Sequence, residues 1–245
     1  MHHGNENIPY GYMNSIMDEI SLQQGVRRIQ TGVGCIDALL NGGLEGGIIT
    51  EIFGEGGSGK TNICMIASCS AMSQGLKVIY IDSEGLSPER FLAVCRSDIS
   101  MFKLFRVYSL DDQEVAIMKA SKMADRDQKI GMIVLDSFSE FFRLEKSDDR
   151  QARIAEFQRQ LSLLSSVAAK KNIPVLITNQ IYQDIDNGTL LPFGGFLVDH
   201  AMKAILRIEK MPDGRRRITV TKHRSVREGV SAMFRITDDG VSCEG

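Results

Sequence analysis

The sequence lacks the long apolar runs of a membrane protein. No apolar stretch in its 245 residues approaches the roughly 20 residues that a membrane-spanning helix needs. The N-terminal residues Met1 to Asn7 also lack the basic-then-apolar pattern of a secretion signal. We therefore expect a cytoplasmic protein with no membrane association.

Cysteine is sparse and has no recognisable pairing pattern. The five cysteines occupy positions 35, 64, 69, 95 and 243, and no two of them form a C-x-x-C motif. An odd, scattered set argues against a disulfide framework or a zinc site and is typical of a reducing compartment. We expect these residues to be small buried apolar side chains.

The chain also lacks an excess of charge of one sign. Its 29 Lys and Arg residues face 31 Asp and Glu residues, which gives a net charge of −2. Any surface that binds nucleic acid must therefore be a local patch. The apolar fraction of 43% and the charged fraction of 24% are ordinary for a globular protein.

From residue 48 onward, short apolar runs alternate with helical stretches. This alternation predicts an α/β fold with a mainly parallel sheet and flanking crossover helices. The predicted strands are Ile48–Phe53, Val78–Ile81, Leu104–Tyr108, Ile130–Leu135 and Pro174–Thr178, and the predicted helices are 60–74, 88–97, 111–127 and 148–171. After residue 200, the runs Ala204–Ile208, Arg216–Thr221 and Met233–Ile236 predict antiparallel strands at one edge of the sheet. Residues 28–245 form one domain in this interpretation, and residues 1–27 form a flexible extension or one short helix at Ser15–Leu22.

A phosphate-binding loop follows the first predicted strand and opens the first long helix, the context that such a loop requires. Glycines let backbone N–H groups close around phosphates, and the helix N-terminus adds positive potential. Lys60 is expected to neutralise the β- and γ-phosphates, and Thr61 to ligate Mg²⁺. The loop is Gly54-Glu55-Gly56-Gly57-Ser58-Gly59-Lys60-Thr61.

Polar residues end three other predicted strands. Asp136 after Ile133-Val134-Leu135 has the Walker B arrangement, which holds Mg²⁺ directly or through water. Asp82 or Glu84 supplies a carboxylate that can orient or deprotonate a water, and spacing does not choose between them. Gln180 either contacts the γ-phosphate or caps a loop. Because ligands bind at the carboxyl ends of parallel strands, these residues are expected to converge on the loop.

This set of motifs, in this order, resembles the RecA/RadA recombinase family of P-loop ATPases. The motifs are GEGGSGKT at 54–61, YIDSEG at 80–85, IVLDS at 133–137 and LITNQ at 176–180, preceded by a glycine-containing lead-in from Thr31 to Leu44. The resemblance implies a RecA-type fold, with ATP and Mg²⁺ as ligands. It also implies that Glu84 is the catalytic glutamate, that Gln180 senses the γ-phosphate, and that Arg90 stacks on adenine.

Within the family, the chain is most similar to the short archaeal RadB paralogues. It lacks the N-terminal helix-hairpin-helix domain of RadA, lacks a glycine-containing G-R-G-E segment at Arg143 to Gln151, and has a short second loop at Ile181 to Pro192. The element from Thr221 to Gly229 resembles the RadB form of a C-terminal region. This likeness implies that Lys222 and Arg224 complete the ATP site of a neighbouring subunit, whereas a solvated basic turn is the alternative.

Four basic residues, Arg143, Lys146, Arg150 and Arg153, cluster around the first loop. An anionic partner such as the DNA backbone explains them, and so does pairing with nearby acidic side chains. The resemblance favours sequence-independent, salt-sensitive DNA binding.

The resemblance implies an accessory role in recombinational DNA repair, with slow ATP hydrolysis, a RadA-type recombinase or another recombination protein as a partner, and ATP at an interface between copies of the chain. The alternatives are a KaiC-like signalling or scaffold ATPase that does not bind DNA, a strand-exchange recombinase, and a structural module that binds ATP without hydrolysing it.

Overall fold

The computed structural model describes residues 25–144, 150–183, 190–192 and 202–244. The predicted helix at 15–22, Lys146 and residues 184–189 of the second predicted loop lie outside these residues, so those predictions stay untested. The two ends of that predicted loop are not loop, because 181–183 continue one strand and 190–192 form a second strand that pairs with it antiparallel. In the described part, no helix combines the length and apolar character needed to cross a bilayer.

The elements alternate along the chain as the sequence predicts, with boundaries shifted by a few residues. The first half comprises β1 (Arg28–Ile29), α1 (Gly34–Leu39), β2 (Leu44–Glu45), β3 (Ile49–Gly54), α2 (Lys60–Ser73), β4 (Lys77–Asp82), α3 (Pro88–Val94), β5 (Phe102–Arg106) and α4 (Leu110–Arg126). The second half comprises β6 (Ile130–Asp136), α5 (Glu140–Leu144), α6 (Arg150–Lys171), β7 (Val175–Gln183), β8 (Leu190–Pro192), β9 (Ala204–Lys210), β10 (Arg216–His223), β11 (Ser231–Thr237) and β12 (Gly240–Glu244).

One large sheet organises the molecule, with the strand order β12-β11-β10-β9-β3-β7-β6-β4-β5 and with β8 paired to β7. The segment from β9 to β5 is parallel throughout. Its strands are buried on both faces because helices cover both. In β6, Met132 and Val134 pack on the side of α1, α2 and α3, whereas Ile133 and Leu135 pack on the side of α4 and α6. The predicted α/β fold is confirmed.

Local signals place two of the helices correctly. Ser87 caps α3, its hydroxyl accepting a hydrogen bond from the Arg90 N–H at 3.2 Å, as expected where proline follows an N-cap residue. One face of α6 packs in the core, with Phe157, Leu161, Leu164 and Ala168 all buried.

The C-terminal strands differ from the prediction in one respect. β10 and β11 are antiparallel, as expected, and β12, which the sequence did not predict, pairs antiparallel with β11. By contrast, β9 runs parallel to β3 on one side and antiparallel to β10 on the other. The alternation of apolar residues in β9 indicates which side chains are buried but not the direction of the strand. The sequence therefore could not distinguish parallel from antiparallel pairing of β9.

The lead-in to the P-loop forms a small antiparallel pair, β1 with β2, that the sequence did not predict. Gly43 turns the chain into β2 at φ +124°, where a Cβ atom would lie 2.3 Å from the Ile29 carbonyl oxygen. Only glycine fits this close approach.

The expectation that all cysteines are unpaired is wrong for four of the five. Disulfides join Cys35 to Cys243 and Cys69 to Cys95, with Cα–Cα distances of 5.7 and 5.3 Å. Cys64 alone is free, and it is buried as expected. The partners lie 208 and 26 residues apart. Their proximity depends on how α1 packs against β12 and α2 against the end of α3, so no local spacing motif predicts it.

Counting thiols tests this pairing. Protein prepared without reductant and then denatured should expose one thiol, that of Cys64, and should expose all five after reduction. The Cys64→Ser variant, the matched control, should expose none before reduction. Five thiols in the unreduced wild-type protein would contradict the pairing.

Candidate active site

The four polar strand ends meet at one edge of the sheet, as predicted. Gly54 at the end of β3 is in register with Gln180 on β7, and Asp82 at the end of β4 is in register with Asp136 on β6. Because β6 lies between β4 and β7, these residues form one continuous row.

The predicted P-loop connects β3 to α2 at this edge. Gly57 and Gly59 adopt φ values of +68° and +108°, a region that side-chain-bearing residues avoid. At Gly59, an added Cβ atom would lie 2.9 Å from Ile236 Cδ1 of β11. Gly56 instead has open space around its Cβ position. The loop therefore turns tightly and leaves its tip accessible.

Lys60, the first residue of α2, is buried beneath the loop at 6% exposure. Its Nζ donates hydrogen bonds to the carbonyl oxygens of Gly54 at 2.9 Å and Glu55 at 3.0 Å. Burial lowers the pKa of the Lys60 ammonium, and the nearby carboxylates of Glu84 and Asp136 partly oppose that shift. The ammonium is thus held at the centre of the loop.

Asp136 is buried in a hydrogen-bonded cage. The Tyr80 hydroxyl donates to its Oδ2 at 2.8 Å, and the Thr178 hydroxyl donates to its Oδ1. Burial raises the pKa of the Asp136 carboxyl, whereas the hydrogen bonds from Thr178, Tyr80 and Thr61 favour its ionised form. Tyr80 and Thr178 were not predicted as site residues, although polar residues in otherwise apolar strands were the available signal.

Asp82 and Glu84, the two candidates for the carboxylate that activates water, have different environments. Asp82 is buried, and its oxygens accept the backbone N–H groups of Gly85 and Leu86, both at 2.8 Å. These hydrogen bonds indicate that Asp82 stabilises the turn that follows β4. Glu84 is exposed, and its Oε1 accepts a hydrogen bond from Gln180 Nε2 at 3.1 Å. The predicted catalytic glutamate and the predicted sensor therefore touch each other.

The residues present suit ATP and Mg²⁺. Ser58 Oγ is buried in the loop without a hydrogen-bond partner among the described residues, as expected for a group that faces a polar ligand. Thr61 is near enough to Asp136 to favour the ionised form of its carboxyl and so to lower its pKa. Both residues offer the hard oxygen ligands that Mg²⁺ prefers, while water and phosphate commonly complete its coordination.

Arg90, predicted to stack on adenine, is fixed beside the start of α2. Its Nε and Nη2 donate to Asn62 Oδ1 at 2.9 and 2.8 Å. Nη2 also donates to the Thr237 carbonyl at 2.7 Å, and Nη1 to the Asp238 carbonyl, in the turn between β11 and β12. This network holds the guanidinium plane in one orientation. No motif in the sequence marks Asn62 as a site residue.

Lys222 and Arg224 lie level with the start of β3, whereas the P-loop follows the end of that strand. His223 is level with Ala204, which is level with Thr50 at the start of β3, about 13 Å along the strand from Gly54 at a usual strand rise. These two residues therefore lie away from the P-loop of their own chain. In the chain itself, Arg224 pairs with the buried carboxylate of Glu45.

Two of the four predicted DNA-binding side chains are described. Arg143 is exposed and pairs with Glu140 at 3.2 Å. Arg153 is half-buried and donates to the Phe142 carbonyl, which gives it a role in holding α5 against α6. Lys146 and the side chain of Arg150 lie outside the described residues.

Comparisons with known proteins agree with this geometry. The Rad51 family model matches residues 22–244. The chain is 66% identical over 229 residues to the DNA repair and recombination protein RadB of Thermoplasma volcanium, with 94% of this chain and 98% of that protein covered. It is 40% identical over 212 residues to the RadB protein of Methanococcoides burtonii, with 84% and 93% covered.

A solved structure described as that of the RadB recombinase matches with a TM-score of 0.78 and 33% identity, covering 89% of this chain and all of that one. The sheet order and the row of strand ends are thus those of a RecA-type core. The chain belongs to the Rad51 family, within the RadB group that these relatives represent.

Proposed function

We propose that this chain is an ATP-dependent accessory protein of homologous recombination and DNA repair, with slow Mg²⁺-dependent ATP hydrolysis. The single observation that carries the proposal is the hydrogen bond between Glu84 and Gln180 at the edge of the P-loop. It joins a carboxylate able to accept a proton from water to an amide able to contact phosphate. The names of the relatives support the role in repair and recombination.

Each step of hydrolysis has a candidate residue. Lys60 and the loop N–H groups bind the phosphates, and Glu84 accepts the proton of the attacking water while Gln180 holds its orientation. Thr61 and Asp136 are the ligands proposed for Mg²⁺, which when bound offsets charge on the phosphate oxygens. Arg90 provides a face for adenine.

Gln180 connects this chemistry to the proposed DNA-binding region. It lies in β7 directly before the segment Ile181 to Pro192, whose first three residues continue that strand. Asn179 beside it donates to the buried Glu51 on β3. A change at the γ-phosphate that moves Gln180 is thereby transmitted along β7. We propose that ATP acts through this strand as a conformational ligand, with DNA, a RadA-type recombinase or another copy of the chain as partner.

Two substitutions test the ATPase assignment. Lys60→Ala should abolish ATP binding because it removes the buried cation of the loop. Glu84→Gln should keep ATP affinity and reduce hydrolysis by about 100-fold or more, the usual contribution of a general base. Binding is measured by calorimetry and hydrolysis by phosphate release, with Glu89→Gln, an exposed glutamate on α3, as the control. Full activity in Glu84→Gln would remove Glu84 from the mechanism.

Retention on single-stranded DNA tests the proposed partner. Wild-type protein should bind at low salt, and Arg143→Ala should weaken binding and reduce the slope of log affinity against log salt by about 1. Arg215→Ala is the control, because Arg215 lies in a turn and pairs with Asp213. If wild-type protein is not retained even at low salt, the DNA assignment is wrong and a signalling ATPase becomes the better description.

A third measurement tests the proposed stacking of adenine on Arg90. Asn62→Ala should loosen the Arg90 guanidinium, which keeps its hydrogen bonds to the Thr237 and Asp238 carbonyls. ATP binding should weaken about fivefold, which corresponds to the loss of about 1 kcal/mol. Affinity for inorganic tripolyphosphate should stay unchanged because the phosphate loop is intact. Adding Arg90→Ala should cause less further loss than Arg90→Ala causes alone. Equal losses for ATP and tripolyphosphate would contradict this role.

A further inference from the structure

Lys210, at the end of β9, lies beside the P-loop although no motif in the sequence marks it. β9 pairs in parallel with β3 so that Ile208 is level with Gly54. Two residues later, Lys210 is on the same strand face as Leu206 and Ile208, which pack on the α2 side of the sheet. The P-loop passes from β3 into α2 on that side of the sheet. The pairing of β9 with β3 therefore places Lys210 next to the P-loop.

The contacts of Lys210 are with the loop itself. Its Nζ lies 4.0 Å from Glu55 Oε2 and 3.6 Å from the position that a Cβ atom would take at Gly57. Its charge is also one of the influences that lower the pKa of Lys60. The neighbouring Glu209 pairs instead with Arg207 at 3.0 Å and Arg217 at 2.9 Å. Glu55 is therefore the acidic partner that the structure gives to Lys210.

Glu55 presents an electrostatic problem for a phosphate site. Within Gly54–Thr61, its negative charge formally cancels the positive charge of Lys60. A carboxylate on the loop repels a polyphosphate. A cation placed against Glu55 restores a positive potential at the loop.

We propose that Lys210 is a positioning residue of the nucleotide site that neutralises Glu55, so that the P-loop can bind the phosphates of ATP. The inference rests on the proposed function, because it concerns affinity for ATP. Both partners are partly exposed, with side-chain exposures of 39% and 54%, so the pair contributes little to folding stability. Its effect is therefore expected in nucleotide affinity and not in thermal stability.

A double-mutant cycle in the full chain tests the proposal. Lys210→Ala should weaken ATP binding about tenfold at low salt, the size expected for one unbalanced charge near a polyphosphate, and the loss should shrink at high salt. Glu55→Gln alone should bind ATP at least as well as wild type. The double variant should return to within about threefold of wild type, because no charge is left unbalanced. Lys170→Ala, an exposed lysine at the C-terminal end of α6, is the matched control.

The outcomes separate the possibilities. If Lys210→Ala binds ATP as tightly as wild type, the inference about Lys210 is wrong but the proposed function stands. The same holds if Lys210→Ala loses affinity and Glu55→Gln does not restore it, because Lys210 would then act on the nucleotide directly. A fall in melting temperature that accounts for the loss of binding would reduce Lys210 to a structural residue and also overturn it. If wild-type protein binds no ATP, the proposed function fails and the inference fails with it.

Discussion

The parallel pairing of β3 with β7 on one side and β9 on the other is the constraint on which the site depends. It makes Gly54 level with both Gln180 and Ile208, so the loop that follows Gly54 opens between two neighbouring strand ends. A one-residue slip of β7 would turn Gln180 to the opposite face of the sheet. Burial on both faces makes such a slip costly, because apolar and polar side chains would exchange places.

Buried polar groups reinforce this register. Thr178 on β7 donates to Asp136 on β6, Tyr80 on β4 donates to the same carboxylate, and Asn179 on β7 donates to Glu51 on β3. A buried carboxylate is stable only when hydrogen bonds or charges compensate its lost hydration. Each bond therefore favours one alignment of adjacent strands, and the alignment that satisfies them also forms the row of site residues.

Sequence patterns predicted the features that local chemistry determines. Apolar periodicity located the main helices and strands, and the strand-loop-helix context of Gly54 to Thr61 located the loop. Properties that depend on distant segments were not visible. The direction of β9, the approach of Cys35 to Cys243 and the pairing of Arg224 with Glu45 all join residues far apart in the chain. Lys210 was missed for the same reason, since a lysine at a strand end is ordinary until the register of β9 against β3 is known.

The C-terminal strands do more than complete one edge of the sheet. Lys210 at the end of β9 lies beside the P-loop. Ile236 of β11 leaves no room for a side chain at Gly59, and carbonyl groups at the end of β11 and in the turn after it accept hydrogen bonds from Arg90. The disulfide from Cys243 to Cys35 then ties β12 to α1. A P-loop alone binds phosphate through its backbone. The proposed adenine-stacking role of Arg90 and the proposed charge balance at Glu55 each depend on a residue about 150 positions later in the chain, Thr237 for Arg90 and Lys210 for Glu55. We therefore expect the proposed nucleotide site to be complete only when the last strands have docked, so that nucleotide affinity depends on the integrity of these strands.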